Sequence, residues 1–418
     1  MPSSIFSSDP SQPISGSAPS GRDQPIQVAV KTLISGVLVF GLVVLMYVSL
    51  GIGEYNDRIE KPLGMLKTIS ENLKVEPQII VYGSSMVQYG FDPLLFDAEL
   101  ALRGVTATSY NFGVPNVDPG YQEIMTRRIR EHFEAERAKI DLVLLEFNPF
   151  QLTKVREARS FTTRDQNHAI LFSGSELWDV VRKDPARGIR LLNIRYLRDG
   201  ISAEMLTSFA PSILFRQNGS HTPAYKAALL ASAKALSEFE RLRDRDAGGG
   251  FVYWNEEFRG GRNDKKQFQE DTLSALRDWN EKQRHPLILQ ADLDRRVRTA
   301  DIFNLEFSEN LSRSFIKMVK NLEAVSDNID IILMPRNTAW IDYDADAQHR
   351  LEAMLERIHI ETGIVVRNFQ LTPGIGPEHF RDTTHLSTYD GADIFTTTLA
   401  EYYAPLILDS KRSTQDPN

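Results

Sequence analysis

Short apolar runs alternate with amphipathic stretches along most of this 418-residue chain. Gln78–Tyr82, Ala107–Phe112, Ile140–Phe147, Ile329–Met334 and Ile364–Asn368 are dominated by residues that suit buried strands. Between them, Pro93–Leu102, Gly120–Lys139, Ser312–Ser326 and Ala345–Thr362 repeat apolar positions three and four apart, the period of a helix with one buried face. A last amphipathic helix is expected over Asp393–Tyr403. The order β, α, β, α, β predicts an α/β protein with one five-stranded parallel sheet covered by helices.

That rhythm holds over residues 77–151 and returns over 306–410. Between them, residues 152–305 carry two helical patterns, Thr222–Arg243 and Lys265–Gln283, punctuated by Gly248-Gly249-Gly250 and Gly260-Gly261. This predicts a largely helical insertion between the third and fourth strands, placed at the sheet edge as a lid or docking surface.

A different pattern opens the chain. Thr32–Gly53 holds roughly 22 residues without a charge, enough at about 1.5 Å per residue to cross a hydrocarbon core. We therefore expect a single transmembrane helix over 28–53. A disordered Ser/Pro/Gly-rich tail (1–27) precedes it, a linker (54–76) follows it, and a second tail occupies 411–418. Arg22 and Lys31 on one side nearly balance Arg58 and Lys61 on the other. The size of the C-terminal part then places it in the periplasm or at the cell exterior, with the bilayer as the first partner.

Hydrophobic content of 42% and charged content of 25% fit a globular domain with a sizeable core. A net charge of −8 without a basic block argues against nucleic acid as a partner. The absence of cysteine excludes disulfides, thiolate catalysis and Cys-ligated zinc. No His-Glu-x-x-His, Walker loop or Gly-x-Gly-x-x-Gly after a strand occurs, so no metal or cofactor is expected.

Candidate chemistry gathers at strand ends, where open parallel sheets place their ligand crevice. The first strand runs into Gly83-Ser84-Ser85, a sharp turn that exposes a hydroxyl. The second ends in Asn111-Phe112-Gly113-Val114-Pro115-Asn116, where Gly113 offers a backbone N–H to a developing oxyanion. The third ends in Glu146-Phe147-Asn148-Pro149, where Asn148 offers a side-chain amide. Near the C-terminus, Asp382-Thr383-Thr384-His385 supplies a base and a carboxylate to orient it from one short loop. Taken singly, each has an ordinary reading as turn or cap chemistry. The other histidines, His379 nearest among them, lack a comparable setting.

In this order the four pieces resemble the blocks of the SGNH (GDSL-like) hydrolase superfamily, from a Gly-Asp-Ser start to an Asp-x-x-His end. The likeness covers the folded part except the insertion. It departs from the pattern where Ser84 replaces the first block's aspartate, Glu146 the third block's glycine and Pro149 its final aspartate. The resemblance implies a three-layer α/β/α sandwich, with Ser85 as nucleophile, His385 as base and Asp382 as its orienting acid. It also implies an oxyanion hole from Ser85, Gly113 and Asn148. With an N-terminal membrane helix and a long insertion, the chain resembles membrane-anchored accessory proteins of lipoteichoic-acid D-alanylation and acetyltransferases of exported polysaccharides such as alginate. This implies a membrane-bound O-acyltransferase as partner and transfer of an acetyl or similar acyl group onto a surface or exported glycan. The alternatives are an esterase or deacetylase of the same polymers, and a catalytically idle scaffold.

Overall fold

The computed structural model describes residues 24–49, 59–115, 117–159, 165, 168–197, 222–249, 259–261 and 268–415. Helix α1 (Gln24–Ser49) leads into α2 (Glu60–Asn72), after which β1 (Gln78–Gly83), α3 (Ser85–Gly90), α4 (Pro93–Leu102), β2 (Thr108–Gly113), α5 (Pro119–Glu136) and β3 (Leu142–Glu146) alternate. The insertion contributes α6 (Lys154–Arg159), α7 (Gly174–Lys183), α8 (Pro185–Leu197), α9 (Pro223–Asp246), α10 (Glu270–Gln283) and α11 (Pro286–Ala300). The alternation then resumes with α12 (Glu309–Glu323), β4 (Ile329–Leu333), α13 (Ala345–Thr362), β5 (Arg367–Asn368) and α14 (Gly391–Gln415).

All five strands are parallel, in the order β2-β1-β3-β4-β5. β1 and β3 are buried along their whole length, which explains their continuous apolar runs. The two-residue period of a strand then divides the core into two clusters. Ile80, Tyr82, Val143, Leu145, Ile331 and Leu333 pack against α5, α12 and α13. Ile79, Val81, Leu142, Leu144 and Ile332 pack against α3, α4 and α14. Helices therefore cover both faces, as the alternation predicts.

Four expectations change. The stretch expected as a linker holds α2, whose Leu66 and Ile69, three residues apart, enter the same core as α5. The fifth strand shrinks to Arg367–Asn368 because only these two residues find partners on β4, and both are exposed at the sheet edge. Helix α14 runs on to Gln415, through part of the expected tail. Helix α1 begins at Gln24, inside the expected N-terminal tail, and its Leu33, Leu38 and Leu42 are exposed. Among the described residues no helix is long and apolar enough to cross a membrane, and positions 50–58 of the expected span and linker lie outside them.

The insertion leaves and rejoins the sheet domain through one narrow neck. Thr153 bridges Phe307, the Lys154 N–H donates to Glu306 O at 2.8 Å, and the Ser308 N–H donates to Leu152 O at 2.7 Å. Antiparallel α9 and α10 close around a small core of Ala235, Phe239, Leu276 and Trp279.

Gly83 and Gly113 face each other in register where α3 crosses the sheet rim. A Cβ on Gly113 would lie 2.3 Å from the Gln88 nitrogen, and one on Gly83 would lie 2.3 Å from Glu146 Oε2. Both glycines are needed for close approach. Gly113→Ala should lower stability by about 3 kcal/mol in denaturant unfolding, whereas Gly174→Ala, with open space around its Cβ, should stay within about 0.5 kcal/mol of the parent.

Candidate active site

The strand order reverses between β1 and β3, and the carboxyl ends of these strands border the crevice where an open parallel sheet binds ligands. β1 ends at Gly83, and Ser84 caps α3 by accepting the Met86 N–H on its Oγ at 3.1 Å. Ser84 is buried and Ser85, the first residue of α3, is half-buried. The two adjacent serines thus divide their labour: Ser84 shapes the turn and Ser85 presents its hydroxyl.

Ser85 Oγ lies 2.8 Å from His385 Nε2, three hundred positions away in sequence. His385 Nδ1 lies 2.8 Å from Asp382 Oδ2. The other carboxylate oxygen, Oδ1, accepts the backbone N–H groups of Thr384 at 2.9 Å and His385 at 2.8 Å. The three-residue spacing therefore has a local cause: one carboxylate closes the turn that carries the histidine and also orients its ring. A bridge between Phe380 and Leu386, with the Arg381 N–H donating to His385 O at 3.0 Å, pins the base of this loop. The ring of Tyr89 meets the imidazole edge-on at 5.1 Å.

Charges around the loop set the protonation states. Burial alone would raise the Asp382 carboxyl, but the charges of His385, Arg296 and Arg381 and the His385 hydrogen bond outweigh it and hold the group well below the usual carboxylate range. Burial lowers the His385 pKa; Asp382 pulls it back, while Arg296 and Arg381 push it down again, and the net direction is down. The imidazole is thus neutral near pH 7, the form that can take a proton from Ser85.

The expected oxyanion donors are placed unequally. The Ser85 N–H sits at the start of α3, where first-turn amides lack an intrahelical acceptor. The Gly113 N–H, by contrast, donates to Asn111 Oδ1 at 2.9 Å, so this expected donor is engaged within its own turn, and the glycine packs closely under α3. Asn148 Nδ2 donates to Ser84 Oγ at 3.1 Å and touches Met86 Sδ at 3.4 Å. Sulfur is a weak acceptor, so the amide can exchange that contact for an anionic oxygen. Asn116 lies outside the described residues. His379 stands apart from the triad, its Nδ1 accepting the Gly376 N–H at 3.0 Å.

Three charged residues of the site were not singled out as functional by sequence reasoning. Arg296, on α11 of the insertion, places Nη2 3.4 Å from Asp382 Oδ1 and 3.3 Å from His385 Nδ1. Asp292, one helical turn earlier, holds the Arg296 Nε at 2.7 Å and accepts the Thr383 hydroxyl. The insertion therefore packs on the triad loop, and Arg277 with Tyr389 and Arg284 with Glu378 O extend that contact. Glu146, at the end of β3, accepts the Ser84 N–H on Oε2 and the Ser84 hydroxyl on Oε1 at 2.9 Å. Burial pushes its carboxyl up to about 7, against the lowering effect of the hydrogen bonds from Ser84 and Asn148. A lone acid in the apolar run Leu142–Phe147 was the signal for it; nothing local marked Arg296.

No protein-family model matches the chain, and no curated protein matches it significantly.

Two outcomes follow from the charges. Acylation of Ser85 by an activated ester should rise with pH through a midpoint below the ordinary imidazole value, and Arg296→Gln, which removes a cation beside the ring, should move that midpoint upward in a pH–rate profile. For Glu146 the folded pKa lies above the unfolded one, so the native state holds the extra proton between the usual value of 4.5 and about 7. Stability contributed by this group is present below that window and is lost as pH rises through it. Chemical denaturation at pH 5 and pH 8 should show parent protein losing up to about 3 kcal/mol more than Glu146→Gln over this interval.

Proposed function

We propose that this protein is a serine acyltransferase of the SGNH type, anchored to a membrane through its N-terminal segment, which moves a short acyl group onto a hydroxyl of a surface or exported glycan. The observation that carries the reading is the continuous pair of 2.8 Å contacts from Ser85 Oγ through His385 to Asp382. Two further features support it. The strand order matches that of flavodoxin-like sheets, and the helices on both faces agree with the three-layer sandwich implied by the motif resemblance. The uncharged run Thr32–Gly53 supports the anchor and with it an extracytoplasmic catalytic domain, and the motif resemblance supports a membrane-bound O-acyltransferase as partner.

The reaction runs in two halves. Ser85 Oγ attacks the acyl carbonyl carbon as its proton passes to His385 Nε2, and Asp382 stabilises the imidazolium. The oxygen of the tetrahedral intermediate faces the Ser85 N–H and the Asn148 amide, and loss of one such donor costs on the order of 3 kcal/mol of barrier. The carbon–leaving-group bond then breaks as His385 returns the proton to the departing atom. In the second half an acceptor hydroxyl gives its proton to His385 and attacks the Ser85 ester. Collapse forms the new ester and restores the serine hydroxyl with that proton.

Full-length protein in detergent, supplied with 4-nitrophenyl acetate and a soluble oligosaccharide, should acetylate the sugar in competition with water. Ser85→Ala and His385→Ala should each reduce turnover by more than about 10³-fold while circular dichroism is unchanged. Release of free acetate alone would reassign the activity to an esterase, and undiminished turnover by Ser85→Ala would remove the triad from the mechanism.

A further inference from the structure

A small cavity opens beside the triad at the carboxyl ends of β3 and β4. It borders Met86, next to the nucleophile, and Thr384, next to the base. Phe147, Phe150, Leu333 and Ile341 make it largely apolar, but Arg336 and Asn337 also line it. Nε and Nη1 of Arg336 are buried and meet no acceptor in good hydrogen-bond geometry, only a loose contact with the Tyr343 hydroxyl, and Oδ1 of Asn337, a residue only 2% exposed, has no donor. Nearby cations of the site behave differently, since Arg296 and Arg381 both lie against Asp382.

Such groups are expensive to leave alone. Nearly all buried polar atoms in folded proteins are paired, and an unpaired donor on a charged group costs more than a neutral one. The residue is nonetheless held in place: its guanidinium lies 4.1 Å from the centre of the Tyr343 ring, and its backbone N–H donates to Gln370 O at 3.1 Å. A preorganised cation whose donors lack a well-formed partner, next to an acceptor atom in a largely apolar hollow, is complementary to an anionic oxygen with a hydroxyl close by. A single water would reach the same atoms, and the binding experiment below separates the two occupants.

We propose that this cavity is a substrate subsite in which Arg336 binds a carboxylate or phosphate of a hydroxylated substrate and Asn337 Oδ1 accepts a neighbouring hydroxyl. Its service to acyl transfer rests on the function proposed above; the binding itself does not. The subsite would orient an acidic sugar or polyol beside Ser85 and discriminate against its neutral counterpart.

Ligand-dependent thermal unfolding of the full-length Ser85→Ala protein tests this without any chemistry, so a failure of acyl transfer cannot be mistaken for a failure of binding. Glucose, glucuronate and glucose 6-phosphate are titrated at constant ionic strength, with sodium chloride as control. Saturable stabilisation by one or both charged sugars, and none by glucose or chloride, is expected; a response to glucuronate alone assigns the carboxylate, and to glucose 6-phosphate alone the phosphate. Arg336→Gln should weaken binding at least tenfold. Gln370→Glu, which places a carboxylate at the wall of the cavity, should do the same and stands in if the arginine variant fails to fold. Equal responses to charged and neutral sugars, no saturable response at all, or unaltered affinity in folded Arg336→Gln would overturn the proposal and leave water as the occupant.

Discussion

One carboxylate makes the site possible. Asp382 uses Oδ1 to gather the amides of Thr384 and His385, and Oδ2 to hold the imidazole that meets Ser85. Turn formation and ring orientation are thereby a single structural event, so the base arrives at the sheet rim already aligned. On the opposite side, Ser85 owes its position to a turn closed by Ser84 and tied to β3 through Glu146. Two short loops, each stabilised by its own acid, meet at the reversal of strand order.

The two acids differ in electrical state for reasons visible in their surroundings. Asp382 is half-buried and flanked by Arg296, Arg381 and His385, so it stays ionised. Glu146 is buried with hydrogen-bond donors alone, and its carboxyl is pushed up to about 7. The first supports an imidazole that gains and loses a proton, whereas the second serves as a hinge pin for the nucleophile turn. The insertion joins this balance through Arg296, which makes it part of the electrostatics of the triad as well as a cover for its loop.

Much of the architecture was legible because it is local. Strands β1 to β4 and helices α4 and α13 follow from apolar periodicity, and Ser85, Asp382 and His385 from short motifs whose spacing has a reason within one turn. The neck at Thr153 and Phe307 falls where the periodicity breaks. What escaped was set by tertiary partners. Gly113 reads equally well as an oxyanion donor or a packing glycine until the position of Asn111 and α3 is known. Ile364–Asn368 carries an apolar pattern, yet only Arg367 and Asn368 pair, at an open edge. Arg296 and Arg336 look like any exposed or capping arginine in sequence; only the approach of α11 to the loop, and of the β4 exit to the cavity, gives them their settings.

Ser85, and neither its neighbour Ser84 nor another hydroxyl, is the group that the 2.8 Å contact from His385 Nε2 would activate. The most direct measurement is peptide mapping by mass spectrometry after brief exposure of the folded protein to a fluorophosphonate. A single stoichiometric adduct on Ser85 that disappears in His385→Ala is expected; an adduct on Ser84 or elsewhere, or none on intact folded protein, would rule out Ser85 as the nucleophile.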